Sequence, residues 1–166
     1  PELDIITRSL RIINAGSGQI AVKKLAPACL DIVGGKYDFI TFYGRHAMER
    51  NFQRLPIGHG ISKIGSLRGT SSHQYNPAVI AADHETTEDA GACYGMAFVY
   101  SGGFQSEAGM DQYGQTRLLM GFSEEQFSYP LNPGEALQAP EVILSYSFQG
   151  LGQLSQNFHR CIRTHL

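Results

Sequence analysis

The sequence has no tryptophan, only 3 cysteines, and few charges, with Asp, Glu, Lys and Arg together making 17% of it. Each shortage excludes something. Thirteen basic residues against 15 acidic ones leave a formal net charge of -2, so no basic field draws in nucleic acid or an anionic membrane surface. No apolar run approaches the roughly 20 residues that a bilayer-spanning helix needs, and a soluble chain is expected. Cys29, Cys93 and Cys161 are widely spaced, odd in number and set among apolar or small neighbours, which argues against a disulfide framework or a zinc site. They read as three buried, reduced thiols, and that reading favours the cytoplasm. The chain opens on Pro1 rather than Met, with a strand-like pattern almost at once, as an excised segment would; the missing leader therefore says nothing about secretion.

What is present suits one globular domain. The 166 residues are 42% hydrophobic, enough to fill a core, and 19 glycines and 7 prolines are scattered as tight turns between short strands require. Asp4 to Asn14 alternates, with Ile6, Leu10 and Ile12 on one side and Thr7, Ser9 and Arg11 on the other. The Asn14-Ala15-Gly16-Ser17-Gly18 turn and the run Ile20 to Leu25 complete an expected hairpin. Further strands are expected at 29–33, 38–43, 47–55, 61–68, 79–84, 93–100, 115–122 and 139–147. In the segment from Cys93 to Tyr100, Tyr94, Met96, Phe98 and Tyr100 make a bulky face and Cys93, Gly95, Ala97 and Val99 a small one. The bulky face suits a core, and the small one the close approach of a second layer. After Gly150 the period changes: Leu151, Leu154, Phe158 and Ile162 recur at helical spacing. The fold expected is an all-β antiparallel sandwich over residues 1–149 with a C-terminal helix over 150–166.

The stretch Ser66 to Pro77 concentrates side chains capable of chemistry. Arg68, Ser71, Ser72, His73, Gln74 and Asn76 stand within nine positions. One reading makes this a structured turn whose hydroxyls and amides cap its own backbone. The other turns Arg68, His73, Gln74 and Asn76 outward, toward sugar hydroxyls or another domain. The turn reading is favoured from spacing alone. Ser72 and His73 are adjacent and point to opposite faces if extended, so they do not make a nucleophile and its base. The acidic segment Asp83 to Asp89 lacks calcium-loop spacing and reads as a solvated hairpin loop. The glycine pairs open no strand-to-helix phosphate loop. No metal site, cofactor site or catalytic residue is expected.

Arg68-Gly69-Thr70-Ser71-Ser72-His73-Gln74, Asn76-Pro77, Tyr94-Gly95 and Val99-Tyr100-Ser101-Gly102 follow one another in an order that resembles family-36 α-galactosidases just upstream of their catalytic barrel. Gln115-Thr116-Arg117, Gly134-Glu135, Pro140-Glu141-Val142, Tyr146-Ser147 and Leu154-Ser155-Gln156-Asn157-Phe158-His159 carry the resemblance to the C-terminal helix. Ala78, where an aromatic residue is common after Asn-Pro, and Gly103, where Asn often follows Ser-Gly, depart from it.

The resemblance implies the later part of an N-terminal β-supersandwich, non-catalytic in itself. The absent (β/α)₈ barrel would hydrolyse terminal α-linked galactose from melibiose- and raffinose-type oligosaccharides with retention, through two aspartates about 5 Å apart. None of the aspartates here matches the family's catalytic motifs. The partners implied are that barrel, further copies in a homo-oligomer and the α-galactoside of the parent enzyme. A stand-alone carbohydrate-binding module is the alternative, weakened by the missing tryptophan. An independent enzyme finds no supporting constellation.

Overall fold

The computed structural model describes residues 3–165 and lays most of them out as strands. In chain order these are β1 (Ile5–Arg8), β2 (Arg11–Ile13), β3 (Ile20–Val22), β4 (Ala28–Ile32), β5 (Tyr37–Arg45), β6 (Met48–Pro56) and β7 (Gly60–Gly65). Then come β8 (Tyr75–Asp83), β9 (Cys93–Phe98), β10 (Phe104–Met110), β11 (Thr116–Phe122), β12 (Tyr129–Leu131), β13 (Ala136–Gln138), β14 (Val142–Ser147) and the helix α1 (Gly150–His165).

The larger sheet is antiparallel and six-stranded, in the order β1-β14-β9-β8-β5-β6. A three-stranded sheet, β10-β11-β4, packs against one of its faces, and β12-β3 and β13-β2 form two short ribbons. Because side chains alternate across a strand, each strand of the large sheet serves two layers at once. Phe39, Val79, Met96, Phe98 and Val142 point inward to meet Ile32, Phe104, Leu118 and Met120 from the smaller sheet. The intervening residues point the other way, where Ile40, Ala82 and Cys93 meet Leu154 of α1. The expected two-faced strand does this in its described span: Tyr94, Met96 and Phe98 enter the sandwich core, and Cys93 and Gly95 lie under the helix. A Cβ on Gly95 would come within 2.6 Å of the Phe158 ring and 3.2 Å of Leu154. The missing side chain is what admits α1. In the same way Gly65 and Gly109 have backbone carbonyls of Phe104 and Gly60 where a Cβ would stand, so β7 lies against β10.

The antiparallel sandwich and the helix follow the sequence reading, and several details correct it. The expected hairpin between 4–14 and 20–25 is not formed. Its turn exists, with the buried Asn14 carboxamide accepting from Gly16 N–H at 3.0 Å and donating to Gly18 O at 2.8 Å. The same amide also donates to Leu131 O at 2.9 Å, so β2 and β3 pair with the distant β13 and β12 instead of each other. The segment 4–14 is two strands in two sheets, and Ile6, on the edge strand β1, is 70% exposed. β10, β12 and β13 carry no expected counterpart. β10, Phe-Gln-Ser-Glu-Ala-Gly-Met, lacks alternation because Gln105 and Ser106 are both buried. Cys29 is half-buried, so only Cys93 and Cys161 are buried thiols.

Candidate functional site

The polar loop joins β7 to β8, and its serines settle its shape. Ser66, buried, donates its hydroxyl to Thr70 O at 2.5 Å and accepts from Arg68 N–H at 3.4 Å. Gly69 supplies the positive φ of 77° that the reversal between them needs. Ser71 ties the loop to the strand end after β9: its N–H donates to Ser101 O at 2.8 Å and its hydroxyl to Tyr100 O at 3.4 Å. Ser72 Oγ accepts from Gln74 N–H at 3.2 Å, and Gln74 O receives Gly44 N–H at 3.1 Å. For the serines the turn-chemistry reading describes what happens.

The long side chains behave differently. Arg68 and His73 are exposed, and neither the guanidinium, the imidazole nor the Gln74 carboxamide has a hydrogen bond among the described residues. Asn76 begins the inward turn of β8, and its Oδ1 is buried without a donor. Asn76 lines a cleft of about 360 Å³, whose walls include Phe42, Arg50, Ile80, Phe158 and Ile162. The loop is thus an internally braced platform with outward donors, Arg68 and His73, and one orphaned acceptor to the side.

Sequence reasoning missed the charged cluster at the other end of β8. Asp38 on β5 is 3% exposed. Arg54 on β6 donates Nε to Asp38 Oδ2 at 2.6 Å, Nη1 to Thr86 O at 2.8 Å, and Nη2 to Asp83 O and His84 O at 2.9 Å each. His84 Nδ1 lies 3.1 Å from Asp38 Oδ1. Burial opposes ionisation of Asp38, but the hydrogen bonds from Arg54 and His84 outweigh it and hold its carboxyl below the ordinary value. The segment 83–89 is the expected loop of the β8–β9 hairpin, with Glu85, Glu88 and Asp89 exposed, and its backbone is pinned as well, with Thr86 buried and donating to Ala92 O at 2.9 Å. The cluster braces backbone on every side, so its geometry is that of a structural clamp.

Comparison with known proteins agrees with this architecture. Residues 1–132 match the glycosyl hydrolase family 36 N-terminal domain model. The chain is 63% identical, over 99% of its length, to the bifunctional α-galactosidase/sucrose kinase of Mediterraneibacter gnavus, of which it spans 18%. It is 43% identical over 95% of its length to an α-galactosidase of Lactobacillus acidophilus, of which it spans 22%. Among solved structures, the galactosidase domain of an α-galactosidase-sucrose kinase superposes with a TM-score of 0.96 at 63% identity, covering 99% of this chain and 23% of that one. A Geobacillus stearothermophilus family-36 α-galactosidase solved with stachyose gives 0.94 at 38% identity, covering 97% and 22%. The chain spans about a fifth of the relatives it matches, and it belongs to the N-terminal domain of glycosyl hydrolase family 36.

Proposed function

We propose that this chain is the non-catalytic β-sandwich portion of a retaining α-galactosidase whose catalytic barrel lies outside these residues. The observation that carries the reading is the 63% identity over 99% of the chain to an α-galactosidase of which that match spans only 18%. A match of such completeness on one side and such brevity on the other is that of a module within a larger enzyme. The substrate class is then a terminal α-galactoside of the melibiose or raffinose type. Its role in the parent is to hold the barrel in position and to support assembly of a homo-oligomer.

The loop fits that role. Its serines already satisfy its own backbone, so the donors of Arg68, His73 and Gln74 are in excess of what a turn uses. They serve a contact outside this sandwich, with barrel, neighbouring subunit or sugar. Two preparations test the function. The full-length chain should release p-nitrophenol from p-nitrophenyl α-galactoside, and residues 1–166 alone should not, because retention needs two carboxyls about 5 Å apart across one glycosidic bond. Turnover by the short chain, purified free of host enzyme, contradicts the proposal, as does an inert full-length chain.

A further inference from the structure

The cleft beside Asn76 has an apolar end and a polar end. Its floor is Ala78 of β8 and Ala97 of β9, which stand directly opposite each other in the ladder, so two methyl groups leave a hollow under α1. Ile80 and the buried Leu154 close one end, and Phe42 and Phe158 stand at the sides. The helix advances along β9, with Leu154 beside Cys93 and the Phe158 ring over Gly95, and its next turn brings His159 and Ile162 toward the Ala97 end. Asn76 lies two residues before Ala78, and Arg50 comes to the same end because its backbone packs on Gly44, whose N–H donates to Gln74 O. Three groups therefore share the open end. Asn76 Oδ1 is buried without a donor, and the Arg50 guanidinium and His159 imidazole have no hydrogen bond among the described residues.

Size and hydrogen-bonding sense define what fits. The volume of about 360 Å³ falls within the range of small-molecule sites, roughly 300–1,000 Å³. An apolar cavity of about 150 Å³ takes one benzene ring, so the hollow has room for a ring at its apolar end and a second ring-sized group at the polar one. That second group must both give and accept hydrogen. A carboxylate accepts from Arg50 but leaves Asn76 Oδ1 without a donor, and an ammonium group donates to Asn76 but meets the charge of Arg50. A hydroxyl does both, and a sugar carries several of them on one ring.

We propose that this cleft is a binding site for a glycoside with an apolar aglycone. The aglycone lies over Ala78 and Ala97 between Phe42 and Phe158, and the sugar hydroxyls donate to Asn76 Oδ1 and accept from Arg50 beside His159. A free sugar leaves the apolar end empty, and a plain arene leaves Asn76 Oδ1 unpaired, so neither half of the ligand satisfies the cleft alone.

Titration of the full-length protein with p-nitrophenyl β-D-glucoside tests this, because a β-linked glucoside lies outside the α-galactoside class and is not consumed. It should bind at least about tenfold more tightly than glucose or p-nitrophenol alone. Ala78→Phe, which places a ring in the hollow, should weaken that binding about tenfold or more and leave kcat/KM for melibiose unchanged. Equal affinity in the variant puts the ligand elsewhere and overturns the proposal, as does p-nitrophenol binding as tightly as the glucoside. Should the variant lose its fold, photolabelling of the unaltered protein with p-azidophenyl β-D-glucoside reads the same site. The label must fall within 76–80 or 151–162, and a label elsewhere, or none, sinks the idea. An active enzyme that ignores the glucoside removes this inference alone, whereas an inactive one that binds it in the cleft removes only the functional reading above.

Discussion

Asp38 shows how much a single residue can hold. Its carboxylate is 3% exposed, and Arg54 both neutralises it and gathers the carbonyls of Asp83, His84 and Thr86. Arg54→Ala therefore leaves a buried charge uncompensated and should cost about 3–5 kcal/mol, read as a loss of thermal stability. The pH dependence follows from the depressed folded value. Stability contributed by Asp38 is present above the ordinary 3.8 and is lost as pH falls through the lower folded value. Melting curves recorded below pH 5 should fall less steeply for Asp38→Asn than for the wild type; parallel curves would show that the clamp does not titrate. Arg68, exposed and unbonded among the described residues, is the opposite case. Arg68→Ala should change thermal stability by less than about 0.5 kcal/mol while lowering activity or assembly of the full enzyme. Equal destabilisation with activity intact would make it scaffolding. The thiols divide in the same way: half-buried Cys29 should react first with Ellman's reagent. Cys93, which donates to Gly150 O at 3.4 Å and is pushed by burial up to about 11, should react only on unfolding. The polar loop was legible because its residues are neighbours in sequence. The clamp was not, since Asp38 is 16 residues from Arg54 and 46 from His84, and only strand pairing brings them together.

Among the elements, β9 was the most legible and β10 the least, for one physical reason. β9 separates large from small side chains because it lies between two layers, so its alternation is written in volume. β10 buries Phe104, Gln105 and Ser106 in succession, with the Ser106 hydroxyl donating to Leu119 O at 3.0 Å, and polarity no longer reports its faces. The turn at Asn14 was likewise visible while its pairing was not, because the bond from Asn14 to Leu131 spans 117 residues. The junction of α1 with β9 is where a small change at element scale should matter most. Gly95→Val places methyl groups in the space of the Phe158 ring and Leu154, which must lift the helix or leave β9 bent. A cost of about 1–3 kcal/mol is expected, with faster amide exchange along α1 than along β11. Uniform loss of protection in both would mean that the helix and the sandwich unfold as one unit.

At the scale of the molecule, the class of fold was legible from turn residues and alternation, whereas the order of strands within each sheet was not. Strand order depends on contacts between segments remote in sequence, and here the first described strand pairs with the last: β1 with β14, and β2 with β13. Ser145 closes this arrangement, donating its hydroxyl to Asp4 O at 2.8 Å across 141 residues and accepting from Asn157 of α1 at 3.1 Å. During synthesis the ribosome releases the opening residues long before their neighbours exist. At about 5–20 residues per second, β1 and β2 wait on the order of ten seconds with their ladder groups unpaired. The large sheet cannot gain its β1 edge until β14 has cleared the exit tunnel, so the nascent sandwich carries an unpaired, strand-forming segment until nearly all of its own strands have been made. Ribosomal pausing between residues 131 and 142 should accordingly lower the soluble yield more than a pause of equal length placed after α1, which makes codon choice in that interval part of how this sandwich is built.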